Sequence, residues 1–321
     1  MYTLRVKNLK TYYKVQRGFV KAVDGVSFDI ERGKALGLAG ESGCGKTTIA
    51  LSVTRVLPSN AQIVGGQILF KDIDIVTLDD VELRRDVRWK GISLVFQGAM
   101  NALNPVYKVG DQIVEAIRLH EPEVEVKDAN ERAVKLFELV GVDPTRLEHY
   151  PHEFSGGMRQ RAMIAMALAS NPDVLIADEP STALDVIVQA QVLKLLRQLK
   201  ERLNLSLIVI SHDLSIIAET CEKAAIMYGG KIAEYGDIVA IFKRPLHPYT
   251  QGLLSAFPGI RAAKTRLVSI PGSPPDLLNA PIGCKFADRC KYAMAVCRKT
   301  DPPLLEIEKD HFVACHLVNE A

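Results

Sequence analysis

The sequence has no run of about 18 apolar residues, the length a membrane-crossing helix needs, so the chain is not expected to span a bilayer itself. Charge of one sign is missing too. Forty Lys and Arg face 38 Asp and Glu, a formal net charge of +2, so nothing electrostatic points to a nucleic-acid partner. There is no repeat of fixed period and no low-complexity segment. The opening residues, Met1 to Lys7, alternate like a strand and lack a basic stretch followed by an apolar one. No export signal is therefore expected, and the chain is assigned to a reducing compartment where structural disulfides are rare.

What is there is ordinary for a globular protein: 48% hydrophobic and 24% charged residues exclude disorder and collagen-like structure. A length of 321 residues suggests two domains, or one large domain with an appendage. The six Cys are placed unevenly. Cys44 and Cys221 stand alone, while Cys284, Cys290, Cys297 and Cys315 crowd towards the C-terminus.

Alternation and β-branched content predict strands over 2–8 and 20–30, and a strand pair around Gly65-Gly66 and 67–75. Short apolar runs at 35–39, 92–96, 174–177 and 205–210 read as buried parallel strands. Between about 98 and 172 strand signals vanish and helical periodicity takes over, at 110–119, 128–140 and 157–169. An amphipathic helix at about 186–203 separates two of the apolar runs, a βαβ pattern that implies a parallel sheet covered by helices. Residues 224–235 read as a hairpin about Gly229-Gly230. Pro then thickens (Pro245, Pro248, Pro258, Pro271, Pro274, Pro275), which marks a boundary near residue 242 and an irregular tail beyond it.

Gly40-Glu41-Ser42-Gly43-Cys44-Gly45-Lys46-Thr47-Thr48 follows an apolar strand and precedes a helical stretch. This is the phosphate-loop pattern. Its glycines let consecutive N–H groups turn towards one anion, and the following helix adds its positive end. Lys46 is expected on the β- and γ-phosphates and the Thr47 hydroxyl on Mg²⁺. Cys44 reads as a small filler within the loop. The run Val174 to Ala177 ends in Asp178-Glu179, an apolar strand closing on two carboxylates. Asp178 is placed to hold Mg²⁺, and Glu179, pointing the other way if the strand continues, to act as base for the attacking water.

With these residues in view, the chain resembles the ATP-binding subunits of ABC transporters. Phe154-Ser155-Gly156-Gly157-Met158 is similar to that family's signature, with Phe154 for the usual Leu and Met158 for the usual Gln. Gln97 resembles the Q-loop residue, Asp185 ends a stretch similar to the D-loop, and His212 resembles the switch histidine. Tyr13 falls where the adenine-stacking aromatic is expected, with Tyr12 and Phe19 as close competitors. The resemblance implies an α/β fold: a P-loop ABC-type ATPase with a RecA-like core, an antiparallel β subdomain and a helical subdomain over about 98–172. It implies that Ser155, Gly156 and Gly157 form a second anion site, for the nucleotide of the opposite subunit. Hydrolysis would then need a head-to-tail dimer with two ATP at the interface, with a copy of itself or a sister ATPase.

The stretch Asn101-Ala102-Leu103-Asn104-Pro105 and the tail stretch Arg244 to Leu254 resemble the di- and oligopeptide importer branch. The implied division is a cassette over 1–241 and an oligopeptide-transporter-type tail over 242–321. Implied partners are the second ATPase subunit, two membrane permeases and, indirectly, a substrate-binding protein, with the chain peripheral on the cytoplasmic face of the cell membrane. Oligosaccharide or nickel import is the alternative cargo. A soluble ABC-type ATPase acting on nucleic acid or ribosomes, or an iron–sulfur electron carrier, are more distant readings; no heptad run or basic stripe supports the former. The four tail Cys are spaced more widely than structural zinc ligands usually are, and a [4Fe–4S] cluster, which the resemblance implies, tolerates such spacing. Zinc stays open, and His311 and His316, which flank Cys315, could substitute as ligands.

Overall fold

Short apolar segments bounded by Gly and Asp caps set the order of elements. The computed structural model describes residues 1–98, 102–255 and 270–319; Asn101 and Pro258 lie outside the described residues. Strands β1 (Tyr2–Val15), β2 (Gly18–Glu31) and β3 (Ala35–Ala39) lead into helix α1 (Lys46–Val53). Next come β4 (Ala61–Phe70), β5 (Ile73–Asp74), the single turn α2 (Asp80–Glu82) and β6 (Ile92–Val95). Helices α3 (Val109–His120), α4 (Val126–Leu139) and α5 (Gly156–Ala167) follow with no strand between them among the described residues. The chain continues through β7 (Val174–Asp178), α6 (Val186–Leu203), β8 (Ser206–Ser211), α7 (Leu214–Thr220), β9 (Lys223–Tyr228) and β10 (Lys231–Asp237). It ends with α8 (Ile238–Lys243), α9 (Pro248–Ser255), β11 (Leu305–Glu308), β12 (His311–Val313) and α10 (His316–Asn319).

These elements make two compact units, each drawn from separated stretches: 1–5, 30–35 and 69–210 in the first, 6–29, 36–68 and 211–321 in the second. In the first unit β6, β7 and β8 run parallel, with Ile92 opposite Val174 and Val174 opposite Ser206. Every residue of β7 is buried, as expected where parallel strands are covered on both faces. Helix α6 makes the crossover. Asp185 caps its start by accepting from the Val188 N–H at 2.9 Å, and Asn204 stops it at φ 50°. In α3 the buried residues are Val109, Ile113, Ala116 and Ile117, and in α4 Ala129, Ala133, Leu136 and Phe137. That three-and-four spacing is the apolar stripe of a one-sided helix.

In the second unit β3 runs parallel to β9, and β9 turns back into β10 through Gly229 and Gly230, both at positive φ. β1 lies between β2 and β4 in another sheet. The tail departs from the irregular structure expected of it. β11 and β12 form a hairpin, turning at Asp310 (φ 59°), and β12 pairs antiparallel with β10, Glu234 opposite Val313 and Gly236 opposite His311. Four and three residues are too few for alternation to register in a sequence. Glu234, with none of its surface exposed, fixes the join: its carboxylate accepts from the Leu246 and His247 N–H groups at 2.9 and 3.0 Å and meets His311 Nε2 at 2.7 Å. Among the described residues no helix is long and apolar enough to cross a membrane.

Candidate active site

The second unit holds the phosphate-loop residues. Gly40, Gly43 and Gly45 all have positive φ. A Cβ on Gly40 would lie 2.3 Å from the Met227 carbonyl, and one on Gly45 2.2 Å from that of Ala22, so neither position accepts a side chain. Gly43 instead faces open space. Gly45 sits at the N-cap of α1 with φ 108°, and its carbonyl accepts from Ile49 N at 3.0 Å. Ser42, Gly43 and Thr47 are exposed, while Cys44, Gly45, Lys46 and Thr48 are buried. Lys46 Nζ donates to the carbonyls of Gly40 at 2.7 Å and Glu41 at 3.0 Å. The cation is thus folded back under the loop rather than extended into solvent. Burial pushes the Cys44 thiol up, against the opposing pull of Lys46, consistent with a packing role.

Of the three candidate aromatics, Tyr13 reaches the end of this loop. Its hydroxyl lies 3.3 Å from Thr48 Oγ1. Tyr12 donates to Asp24 at 2.7 Å, and burial together with that carboxylate pushes its phenol up to about 12. Phe19 is exposed. His212 is exposed in the turn between β8 and α7, where Asp213 caps the helix by accepting from Ser215 N at 2.8 Å.

The first unit holds the carboxylates. Asp178 ends β7 and is 1% exposed. The strand stops at Asp178, so the condition under which Glu179 would point opposite to it is not met. Glu179 sits at φ 47°, a left-handed conformation that swings its side chain away from the strand's own pattern. Its carboxylate accepts from Gln97 Nε2 at 3.1 Å and Thr182 Oγ1 at 2.9 Å, so three separated sequence positions meet there. Ser155 caps α5 by accepting from Met158 N at 3.3 Å, which leaves the Gly156 and Gly157 N–H groups in the helix's first turn. A Cβ on Gly157 would come 2.5 Å from Val188 Cγ1, the residue whose N–H Asp185 holds. The starts of α5 and α6 are therefore locked together through one glycine.

The four tail cysteines line one cavity together with His247, Phe286, Tyr292 and His316. Cys284 N donates to the Cys297 carbonyl at 2.8 Å, and a Cβ on Gly283 would lie 2.2 Å from that carbonyl, so the two Cys loops are pressed backbone to backbone. Burial pushes the Cys284 thiol up to about 11, with Cys297, Cys315 and Cys290 adding to the effect. Among the described residues, however, no group of three or more His, Cys, Asp or Glu is arranged to hold a metal ion. The histidines that could have substituted are otherwise engaged: His311 with Glu234, and His316 Nε2 with the Thr300 carbonyl at 2.9 Å.

A loop of positive-φ glycines ending in a buried lysine at a helix start, on a chain whose buried strand closes on Asp-Glu, defines a nucleotide-binding ATPase. The family model for ABC transporters matches residues 23–182, and the model for the oligopeptide/dipeptide transporter C-terminal region matches residues 233–297. The chain is 46% identical to a probable peptide ABC transporter ATP-binding protein of Sinorhizobium fredii, over 99% of this chain and 95% of that one. It is 45% identical to the dipeptide transport ATP-binding protein of Bacillus subtilis, again over 99% and 95%. Among solved structures, the dimeric post-hydrolysis state of the ATP-binding cassette MJ0796, bound to ADP and Pi, matches with a TM-score of 0.65 at 25% identity, covering 73% of this chain and 98% of that one. The chain belongs to the ABC transporter family, among its ATP-binding proteins, and is an ATPase of that family.

Sequence reasoning missed Glu41, Tyr249, Arg289 and Glu234 as organisers of the second unit. Glu41 and Tyr249 lay inside quoted motifs without a role. Arg289 lies 248 residues from its partner, and no local pattern signals such a pairing.

Proposed function

We propose that this chain is the energy-coupling ATPase of an importer for di- or oligopeptides. The observation that carries the reading is the phosphate loop, with its side-chain-intolerant Gly40 and Gly45 and its buried Lys46, on a chain similar over nearly its whole length to peptide and dipeptide transport ATP-binding proteins. The proposed division is a cassette over 1–241, with a helical subdomain over about 98–172, and a tail over 242–321. The MJ0796 cassette matches 73% of the chain, which leaves room for such a tail.

In this reading the loop from Ser42 to Thr48 wraps the phosphates, Lys46 leaves its carbonyl partners for the β- and γ-oxygens, and Tyr13 stacks on adenine. Thr47, Gln97 and Asp178 would hold Mg²⁺; a hydroxyl, a carboxamide and a carboxylate are the oxygen donors that a hard cation takes. When bound, Mg²⁺ supplies positive charge to the phosphate oxygens. Glu179, whose carboxylate accepts from Gln97 and Thr182, orients and deprotonates the attacking water. His212 contacts the γ-phosphate. Ser155, Gly156 and Gly157 offer the capped start of α5 to the nucleotide of a second ATPase subunit, with Asp185 at that same junction. ATP binding closes the dimer, closure moves two membrane permeases supplied by a binding protein, and hydrolysis reopens it. The chain works from the cytoplasmic face of the membrane.

Cys284, Cys290, Cys297 and Cys315 would hold a [4Fe–4S] cluster. Four thiols on one cavity are the donor set such a cluster takes, and a polynuclear centre does not need its sulfurs gathered about a single ion, as zinc would. When bound, it would cross-link the tail loops. Iron and acid-labile sulfide assays on anaerobically purified chain test this directly.

The importer reading is tested by reconstituting the chain with its permeases and binding protein in liposomes. Labelled di- and oligopeptides should accumulate with ATP, and Lys46→Ala should stop them. Accumulation of oligosaccharide or nickel with peptides excluded would replace the peptide assignment.

A further inference from the structure

Glu41, the second residue of the phosphate loop, is held at each of its polar groups. Its N–H donates to the Tyr249 hydroxyl at 2.9 Å. Its carbonyl accepts from Lys46 Nζ at 3.0 Å. Its carboxylate takes a two-pronged bond from Arg289, Nη1 to Oε2 at 2.6 Å and Nη2 to Oε1 at 2.9 Å. Two of these three partners come from the tail: Tyr249 from α9, and Arg289 from the residue directly before Cys290.

Arg289 is built into place for this. Its guanidinium also donates to the Pro271 carbonyl at 2.8 Å and the Tyr228 hydroxyl at 3.2 Å, and it lies 5.6 Å from the centre of the Tyr228 ring. Its side chain is 6% exposed, against 26% for Glu41. A forked, charge-assisted pair with a largely buried arginine is far more constraining than a surface ion pair. Tyr249 is fully buried and packs on Tyr228 and Phe286, with ring centres 4.6 and 5.3 Å away. Both tethers thus rest on a packed aromatic cluster rather than on mobile side chains.

We propose that Arg289 is a positioning residue for nucleotide binding, through which the tail sets the conformation of the phosphate loop. The inference rests on the reading of that loop as the ATP site. Pinning Glu41 fixes the chain just before the N–H groups from Ser42 to Gly45, so the loop meets the phosphates already ordered. Without the pin, that ordering is drawn from binding free energy, and affinity falls while the chemistry after binding is unchanged. Lys46 gives up the Glu41 carbonyl on binding phosphate, and the two tail tethers are what hold Glu41 at that moment. The Cys cavity adjoins Arg289 along the chain, so loosening the Cys loops reaches ATP affinity by the same route.

The test compares the full chain with Arg289→Ala, Arg289→Lys, Glu41→Arg, Arg289→Glu and the Arg289→Glu/Glu41→Arg exchange. Binding is read with a fluorescent ATP analogue, turnover in the reconstituted importer, and folding by thermal melts. Arg289→Ala should weaken ATP binding roughly tenfold and raise KM with kcat nearly unchanged. Arg289→Lys, which keeps charge but not the fork, should fall between, and the charge exchange should bind more tightly than either of its single variants. A folded Arg289→Ala chain with wild-type ATP affinity overturns the proposal. If that variant does not fold, Glu41→Gln, which leaves the tail untouched, carries the same test: unchanged affinity again overturns it. Failure of the underlying reading looks different, because Lys46→Ala would then bind the analogue as wild type does.

Discussion

His311 Nε2 and Glu234 Oε1 lie 2.7 Å apart with both side chains out of solvent, one from the last strand of the tail and one from the strand it joins. Glu234 also serves two backbone N–H groups at the start of the tail, so a single carboxylate ties together residues 234, 246, 247 and 311. Removing one partner of such a buried cluster strands the others. Glu234→Ala is expected to lower stability by about 3 kcal/mol, and His311→Ala by somewhat less, measured by urea unfolding of the full chain. Wild-type stability in Glu234→Ala would show that the cluster is not holding the tail.

His247 supplies a pH dependence. Burial pulls its imidazole down to about 4, against the opposing charge of Glu234, and its Nδ1 accepts from Tyr249 N at 3.0 Å. Between about pH 6.5 and 4 the unfolded chain binds a proton here that the folded chain does not. The contribution is therefore complete above about 6.5 and lost as pH falls to 4, about 3 kcal/mol across the window. His247→Asn, which keeps an acceptor near Nδ1, should flatten that segment of the stability–pH curve. An unchanged slope would assign the acid sensitivity to other groups.

Glu179 makes the cleanest separation of binding from chemistry. Glu179→Gln should retain ATP binding and lower kcat roughly a hundredfold or more. Trapped ATP-bound dimers, visible by size-exclusion chromatography with ATP, are the accompanying signature. A turnover rate equal to wild type would remove the role of base from this residue.

Gly157 and Gly45 test steric necessity. Gly157→Ala places a Cβ 2.5 Å from Val188, so the starts of α5 and α6 must separate. Gly45→Ala meets the Ala22 carbonyl and a φ of 108° together. Each is expected to cost about 2 kcal/mol, with ATPase loss exceeding what the drop in melting temperature explains. Gly43→Ala has open space, leaving only its positive φ, and should cost less.

Legibility in the sequence followed locality. The run from Val174 to Ala177 and the helix over 186–203 were readable because burial on both faces and one-sided burial leave different apolar spacings within a few residues. The phosphate loop was readable because its glycines are close neighbours with a shared conformational demand. The direction of Glu179 was tied to the strand continuing, and a left-handed residue just past the strand end breaks the alternation on which that condition rests. Glu234, in a strand that alternation would leave half-exposed, gives no sign of being wholly buried, because its partners lie up to 77 residues away. The tail's Pro content masked a hairpin of seven paired-strand residues, four in β11 and three in β12.

That hairpin changes what the second unit can associate with. Without it, β10 would present an open row of backbone donors and acceptors, a template for another chain's strand. β12 covers that row, and the outermost strand becomes β11, four residues long and carrying Glu306 and Glu308. A brief, acidic border strand is a poor place for sheets to fuse. Joining of this chain to its own copies along the β10 side of the sheet is thereby disfavoured, and with it sideways growth into aggregates.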